Sequence, residues 1–167
     1  WQAWWQNQPK KPEYLEKEAQ IRYVAKGSNL VHLDFKGQYL VVNNYLSSDV
    51  LMPQVRVKGG AYGVWCSLNR HTKDFTCYSY RDPNGQTTLN VYDSLSQHLM
   101  NLEITQEQID NNILGTIGKW DGWSDAPTRG LRNFLQALTG ETSEQRAAIR
   151  EQILLTKPSD FREFGVY

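Results

Sequence analysis

The sequence predicts an α+β domain, an antiparallel sheet covered by helices. Two observations carry this. Alternating runs suited to strands are gathered in the first half, around Ile21 and between Ala61 and Tyr80. From Leu89 onward, apolar residues recur at spacings of three and four, the period of a helix, punctuated by cap and stop residues. Strands first and helices after them give a layer of helices on a sheet.

The 167 residues suit one domain with a core of ordinary size. Lys plus Arg equals Asp plus Glu at 18 each, a formal net charge of zero. That balance argues against a nucleic-acid or anionic membrane surface, which needs a concentrated positive face. No apolar run approaches the roughly 20 residues of a transmembrane helix, and the N-terminus lacks the basic-then-apolar order of a secretory signal. The expectation is a soluble piece. Cys66 and Cys77 fit neither a disulfide scaffold nor a zinc spacing, and are read as packed thiols. They would stand opposite each other in the hairpin described below, where oxidation is the alternative.

Residues 1–18 carry Trp1, Trp4, Trp5 and a Pro-Lys-Lys-Pro stretch with no sustained period. They read as a linker or tail from something upstream, which leaves 19–167 as the single α+β domain. A start on WQAWW without methionine reads as a cut piece of a longer polypeptide. From Ala19, alternation around Ile21, Tyr23 and Ala25 predicts a strand ending at Lys26-Gly27-Ser28-Asn29. Leu30 to Phe35 is open between loop and short strand. From Gln38 to Met52, Tyr39, Leu40, Val42, Tyr45, Leu46, Val50 and Leu51 predict a largely buried helix. Pro53 should interrupt or restart it.

Ala61 to Leu68 and Asp74 to Tyr80 are aromatic-rich alternating runs separated by polar residues, the clearest hairpin in the chain. The expected register sets Leu68 opposite Phe75, Cys66 opposite Cys77, Val64 opposite Ser79 and Trp65 opposite Tyr78. Asp82-Pro83-Asn84-Gly85 ends it in a turn. Helices follow: one carrying Leu89, Tyr92, Leu95, Leu99 and Leu102; a second opened by the Thr105/Gln108 capping box with Ile109, Ile113, Leu114 and Ile117. A third runs from Pro127 through Leu131, Phe134, Leu135 and Leu138 to a stop at Gly140. Thr142/Gln145 caps a fourth with Ile149 and Ile153, and Pro158 opens a short last helix.

Val55 to Gly63, VRVKGGAYG, joins the first helix to the hairpin. Glycine accepts positive φ freely and leaves room for close backbone approach, so the chain turns at Gly59-Gly60. Arg56 stands six residues before Tyr62, a permanent cation and a phenol on either side of that turn. Such a pair is chemically fit to converge on a carbonyl oxygen or a carboxylate. The residues alone leave a second reading open, in which Arg56 satisfies the last carbonyls of a helix and Tyr62 packs. Self-contained catalysis is otherwise missing: His32, His71 and His98 are isolated, and there is no GxSxG elbow, P-loop or HxxEH in either direction. Asp121 and Asp125 read as a turn residue and a helix cap before they read as cation ligands.

The run VRVKGGAYG, then SYRDPN (79–84), ILGTIGKWD (113–121), RGLRNFLQALTGET (129–142) and ILLTKPSDFREF (153–164), form an ordered set over roughly residues 20–165. In these motifs the sequence resembles the C-terminal part of the insulinase/pitrilysin superfamily of zinc metallopeptidases, in its presequence-protease branch. The resemblance implies one domain of the insulinase/mitochondrial-processing-peptidase-like fold, in a clamshell whose halves close on unstructured peptides. It implies zinc in the parent enzyme, held in another domain by an inverted HxxEH motif and a distant glutamate, and no metal ligand in this chain. It gives Arg56 and Tyr62 catalytic contacts to the substrate carbonyl and the tetrahedral oxyanion. Gly59, Gly60, Ala61 and Gly63 would let the turn approach substrate backbone, although a need for positive φ explains the glycines equally well.

Expected partners are the other domains of the same polypeptide and peptide substrates, with no nucleic acid and no membrane. The fragment alone should be inactive. The compartment is an organelle for a eukaryotic source and the cytoplasm for a bacterial one. The rival reading is a non-catalytic scaffold or peptide-binding domain of the same superfamily. A third is an isolated domain that self-associates.

Overall fold

A computed structural model describes residues 21–167. The linker expected over residues 1–18 and the strand start at Ala19 lie outside the described residues. The elements in order are β1 (Arg22–Asn29), α1 (Gln38–Tyr45), α2 (Leu46–Lys58), β2 (Gly63–Leu68), β3 (Asp74–Asp82), α3 (Gly85–Met100), α4 (Gln106–Trp120), α5 (Ala126–Thr139), α6 (Ser143–Leu154) and α7 (Pro158–Phe164). The fold is α+β, with a three-stranded antiparallel sheet of order β1-β3-β2 among the described residues.

The hairpin has the expected register throughout, with Leu68 opposite Phe75, Cys66 opposite Cys77, Trp65 opposite Tyr78 and Val64 opposite Ser79. Its turn is built by Asn69, whose side-chain oxygen accepts the N–H groups of His71 (2.9 Å) and Thr72 (3.1 Å). Both cysteines are free and buried, and the Cys66 thiol donates to the carbonyl of Asn43 at 3.2 Å. Hydrogen bonding with its neighbours Cys77 and Ser47 lowers the Cys66 thiol below its ordinary value, while the Cys77 thiol is pushed up by that same partner and by burial.

β1 departs from expectation twice. The strand does not end at Lys26 but runs through Gly27 and Ser28 to Asn29, which pairs with Asp74. Gly27 serves the sheet here: a Cβ on it would come within 3.0 Å of the Thr76 hydroxyl and 3.2 Å of the Phe75 carbonyl. The inward residue is Val24 (6% exposed), while Ile21 and Tyr23 face out. Leu30 to Phe35 is loop.

The first helix is buried as its pattern requires. Tyr39, Val41 and Val42 have no exposed surface, and α1 packs against β2, α4, α6 and α7. A fully buried side chain of this size contributes about 1.5–3 kcal/mol relative to an exposed one. Pro53, expected to break the helix, does not: α2 passes through it as a π-helix to Lys58. An i→i+5 register no longer aims the carbonyl of Asp49 at the proline ring, and the clash that stops an α-helix is relieved. The buried residues of α2, Leu46, Val50, Leu51 and Val55, step by four and five in keeping with that wider turn.

Buried polar groups tie α1 to α4. Asn44 donates to Asn112 (2.8 Å) and accepts from Lys119 (2.7 Å), and Asn112 donates to Asp49 (2.9 Å). The inner line of α4 is accordingly Ile109, Asn112 and Thr116, and Leu114, read from the sequence as part of the apolar stripe, is 69% exposed. Both capping boxes form, and Gly140 closes α5 at φ +69°. Asp125 caps α5 by accepting the N–H of Thr128, and Asp121 pairs with Arg150 at 2.7 Å.

Candidate functional site

The joint between α2 and β2 is a closed backbone turn. The N–H of Gly60 bonds the carbonyl of Arg56 (2.9 Å), that of Ala61 bonds Val55 (3.1 Å), and that of Tyr62 bonds Tyr80 on β3 (3.1 Å). These three N–H groups are spent internally, and the side chains of Arg56 and Tyr62 are presented outward. Of the glycines in this joint, Gly60 alone uses positive φ, at +79°. Gly59 is helical and is required for space, because a Cβ there would sit 2.5 Å from the carbonyl of Val55. Gly63 lies under the indole of Trp65, 2.3 Å from where its Cβ would be. Ala61 is buried.

Arg56 and Tyr62 are both exposed, one on the last turn of α2 and the other on the approach to β2. Neither side chain makes a hydrogen bond or ion pair with another described residue, and the two are not bonded to each other. Tyr62 is braced through its ring. It meets Tyr80 edge-on (centroids 5.6 Å apart, planes at 88°), and Tyr80 in turn packs against Tyr23, with centroids 5.2 Å apart.

Arg81 completes the brace. Between the pairs Arg22–Asp82 and Val24–Ser79, β3 carries one more residue than β1, a bulge. Within it Arg81 has φ +49°, and its guanidinium lies 5.3 Å from the ring centre of Tyr80 and 5.8 Å from that of Tyr62. The next residue, Asp82, is fully buried and accepts the hydroxyls of Ser79 (2.6 Å) and Thr88 (2.7 Å) and the N–H of Asn84 (2.7 Å). Asn84 in turn donates its amide to the carbonyl of Gly59. Asp82 and Asn84 thus fix the turn's position against the start of α3. The sequence marks Asp82-Pro83-Asn84-Gly85 only as a turn; an aspartate followed two residues later by an asparagine is the signal it carries.

The histidines stay outside the joint. His98 bonds the hydroxyl of Tyr45 at 3.0 Å and stacks on its ring, and His32 and His71 are exposed. Among the described residues no group of three or more His, Cys, Asp and Glu side chains is arranged to hold a metal ion. Two cavities, of about 560 and 410 Å³, lie away from Arg56 and Tyr62, the first beside Gln54 and α3 and the second between the hairpin turn and α5. The joint itself is an open surface with a cation and a phenol on it.

Residues 13–167 match the model of the PreP C-terminal domain family. The chain belongs to that family. It is 36% identical over 159 residues to presequence protease 1, chloroplastic/mitochondrial, of Arabidopsis thaliana, covering 94% of this chain and 15% of that protein. It is 33% identical over 158 residues to protein HypA of Clostridium perfringens, covering 93% and 16%. The fold is shared with the crystal structure of a protease from Helicobacter pylori, at a TM-score of 0.67 and 18% identity over 90% of this chain and 39% of that one. The chain therefore spans about one sixth of the length of these two sequence relatives. In the PreP C-terminal domain seen here, no described helix is long and apolar enough to cross a membrane.

Proposed function

We propose that this PreP C-terminal domain works as part of a zinc metalloendopeptidase that degrades unstructured peptides. Its task there is to close the substrate chamber and present Arg56 and Tyr62 to the scissile carbonyl. The observation that carries the reading is their exposure at the two ends of one turn with no hydrogen-bond or ion-pair partner among the described residues, when the N–H groups of Gly60, Ala61 and Tyr62 are occupied. A guanidinium and a phenol are strong donors to a carbonyl oxygen, and stronger ones as that oxygen gains charge in the transition state.

On this reading zinc is held by another domain of the parent, where it would supply Lewis-acid polarisation of the carbonyl. Gly59, Gly60, Ala61 and Gly63 act by holding the turn's shape against their own chain, which lets substrate backbone pass close to it. The other domains of the polypeptide and the peptide substrate are the partners. For a eukaryotic source the compartment is a mitochondrion or plastid, as the name of the Arabidopsis relative states for that protein; for a bacterial source it is the cytoplasm.

The test is peptide turnover by the full-length parent carrying Arg56→Ala or Tyr62→Phe. Each is expected to lower kcat by about 10²- to 10³-fold, as removal of an oxyanion donor does, with bound zinc unchanged. Wild-type turnover in both variants would overturn the assignment. An upstream sequence without an HxxEH motif in either direction would favour the non-catalytic scaffold instead.

A further inference from the structure

α5 is the most one-sided helix of the domain and the least covered. Leu131, Phe134, Leu135 and Leu138 follow each other at i, i+3, i+4 and i+7, which sets them in one stripe. They are 59, 59, 50 and 67% exposed, and α5 has no buried residue. No other described helix or strand packs along it. Yet the helix is fully specified, with Asp125 at its N-cap, Pro127 in its first turn and left-handed Gly140 at its end. A capped helix whose apolar stripe is left bare is made to be covered by something else.

The surroundings state the chemistry of the cover. A cavity of about 410 Å³ runs beside the stripe, lined by Leu131 and Leu135 of α5 and by Arg70 and His71 of the hairpin turn. Arg70 and Arg146 both stack on Trp120, at 5.1 and 4.4 Å, and share one buried carboxylate, Glu141. Two guanidiniums on one glutamate leave a positive excess. α5 adds Arg132, which lines the same cavity, and contains no acidic residue. An apolar floor with a positive rim complements an apolar segment that carries carboxylates.

We infer that the α5 face and its groove form the docking surface for an apolar, acidic segment from another domain of the same polypeptide. This rests on the reading of the chain as one domain of a larger protease. Two observations select that occupant over a second copy of the chain. The relatives are more than six times longer than the part matched here, so the rest of the polypeptide is present at high effective concentration. A second copy, moreover, would set one positive rim against another.

The experiment places the photo-crosslinking residue p-benzoyl-phenylalanine at position 134 of the full-length polypeptide and maps the crosslinked peptide by mass spectrometry. Peptide cleavage is followed on the same sample. The expected product is an intramolecular link to an apolar segment with Asp or Glu from outside these 167 residues, its yield reduced by Arg132→Glu and kept by Arg132→Lys. A link to a second copy, a link within the 167 residues, or no link overturns the docking proposal even if cleavage is normal. An unreduced yield in Arg132→Glu overturns its acidic character. A full-length protein that neither binds zinc nor cleaves peptides, yet gives the expected link, would overturn the proposed function and leave the docking surface standing.

Discussion

α3 and α5 carry the same pattern and meet opposite fates. In α3, Thr88, Tyr92, Leu95 and Leu99 are buried at spacings of three and four, with Leu99 only 2% exposed. In α5, Leu131, Phe134, Leu135 and Leu138 repeat that spacing, and each is at least half exposed. Both helices are anchored at their starts by an aspartate, Asp82 for α3 and Asp125 for α5, but Asp82 is buried while the carboxyl of Asp125 is in solvent. Amphipathic periodicity therefore shows that a face is to be covered and is silent on which part of the polypeptide covers it. One helix is covered by the core of this domain, and the other is left uncovered by it.

The largest expected effect separates the two directly. Leu99→Ala should destabilise the 167-residue chain by about 2–5 kcal/mol, the range for emptying a leucine site in a core. Leu135→Ala should stay within about 0.5 kcal/mol, as surface substitutions do. Urea unfolding of both variants measures this, and similar losses in the two would break the contrast.

Thr88→Val sharpens it at the anchor. The substitution keeps the shape of the side chain but removes the hydroxyl that donates to buried Asp82, a hydrogen bond to a charged group whose loss should cost about 1.5–3 kcal/mol. The same unfolding measurement decides, and an unchanged midpoint would show that Asp82 does not hold α3.

Acid gives the smallest effect. The hydroxyl of Thr128, with help from its N–H, holds the Asp125 carboxyl below the usual carboxylate value. A folded-state pKa below the unfolded one stabilises the cap above the ordinary carboxylate range, and this is lost as pH falls through the depressed value. Protection of the amides in the first turn of α5 against exchange, relative to an unfolded reference at the same pH, should therefore fall on acidification below about pH 4. Unchanged protection there would remove Asp125 as the cap.

Much of this architecture was legible in the residues. The hairpin register followed from alternation and one polar turn, because a slip of one position would have put Val64, Cys66 and Leu68 into water. Caps were legible at Thr105, Thr142 and Gly140 because each is a local bond or a local dihedral. What escaped was decided at a distance. Gly27 looks like a stop until Thr76 of β3 is placed against it, and Asn112 looks like surface until Asn44 and Asp49 meet it. Arg56 and Tyr62 were legible as a candidate pair from the sequence, but Arg81 and Asn84 were not, since a bulge in β3 and a carbonyl on the far side of the turn bring them in.

The thirteen residues of α2 work as a gear. In a helix the direction of each side chain is its accumulated rotation from the start, and the hydrogen-bond register sets the step. By making the i→i+4 step costly, Pro53 selects the wider one, and every residue after it inherits the changed azimuth. Arg56 lies three positions downstream, so its aim at the joint is fixed by winding and not by any bond that it makes. A domain of this family without that proline could keep the arginine, the glycines and the hairpin and still point the guanidinium elsewhere.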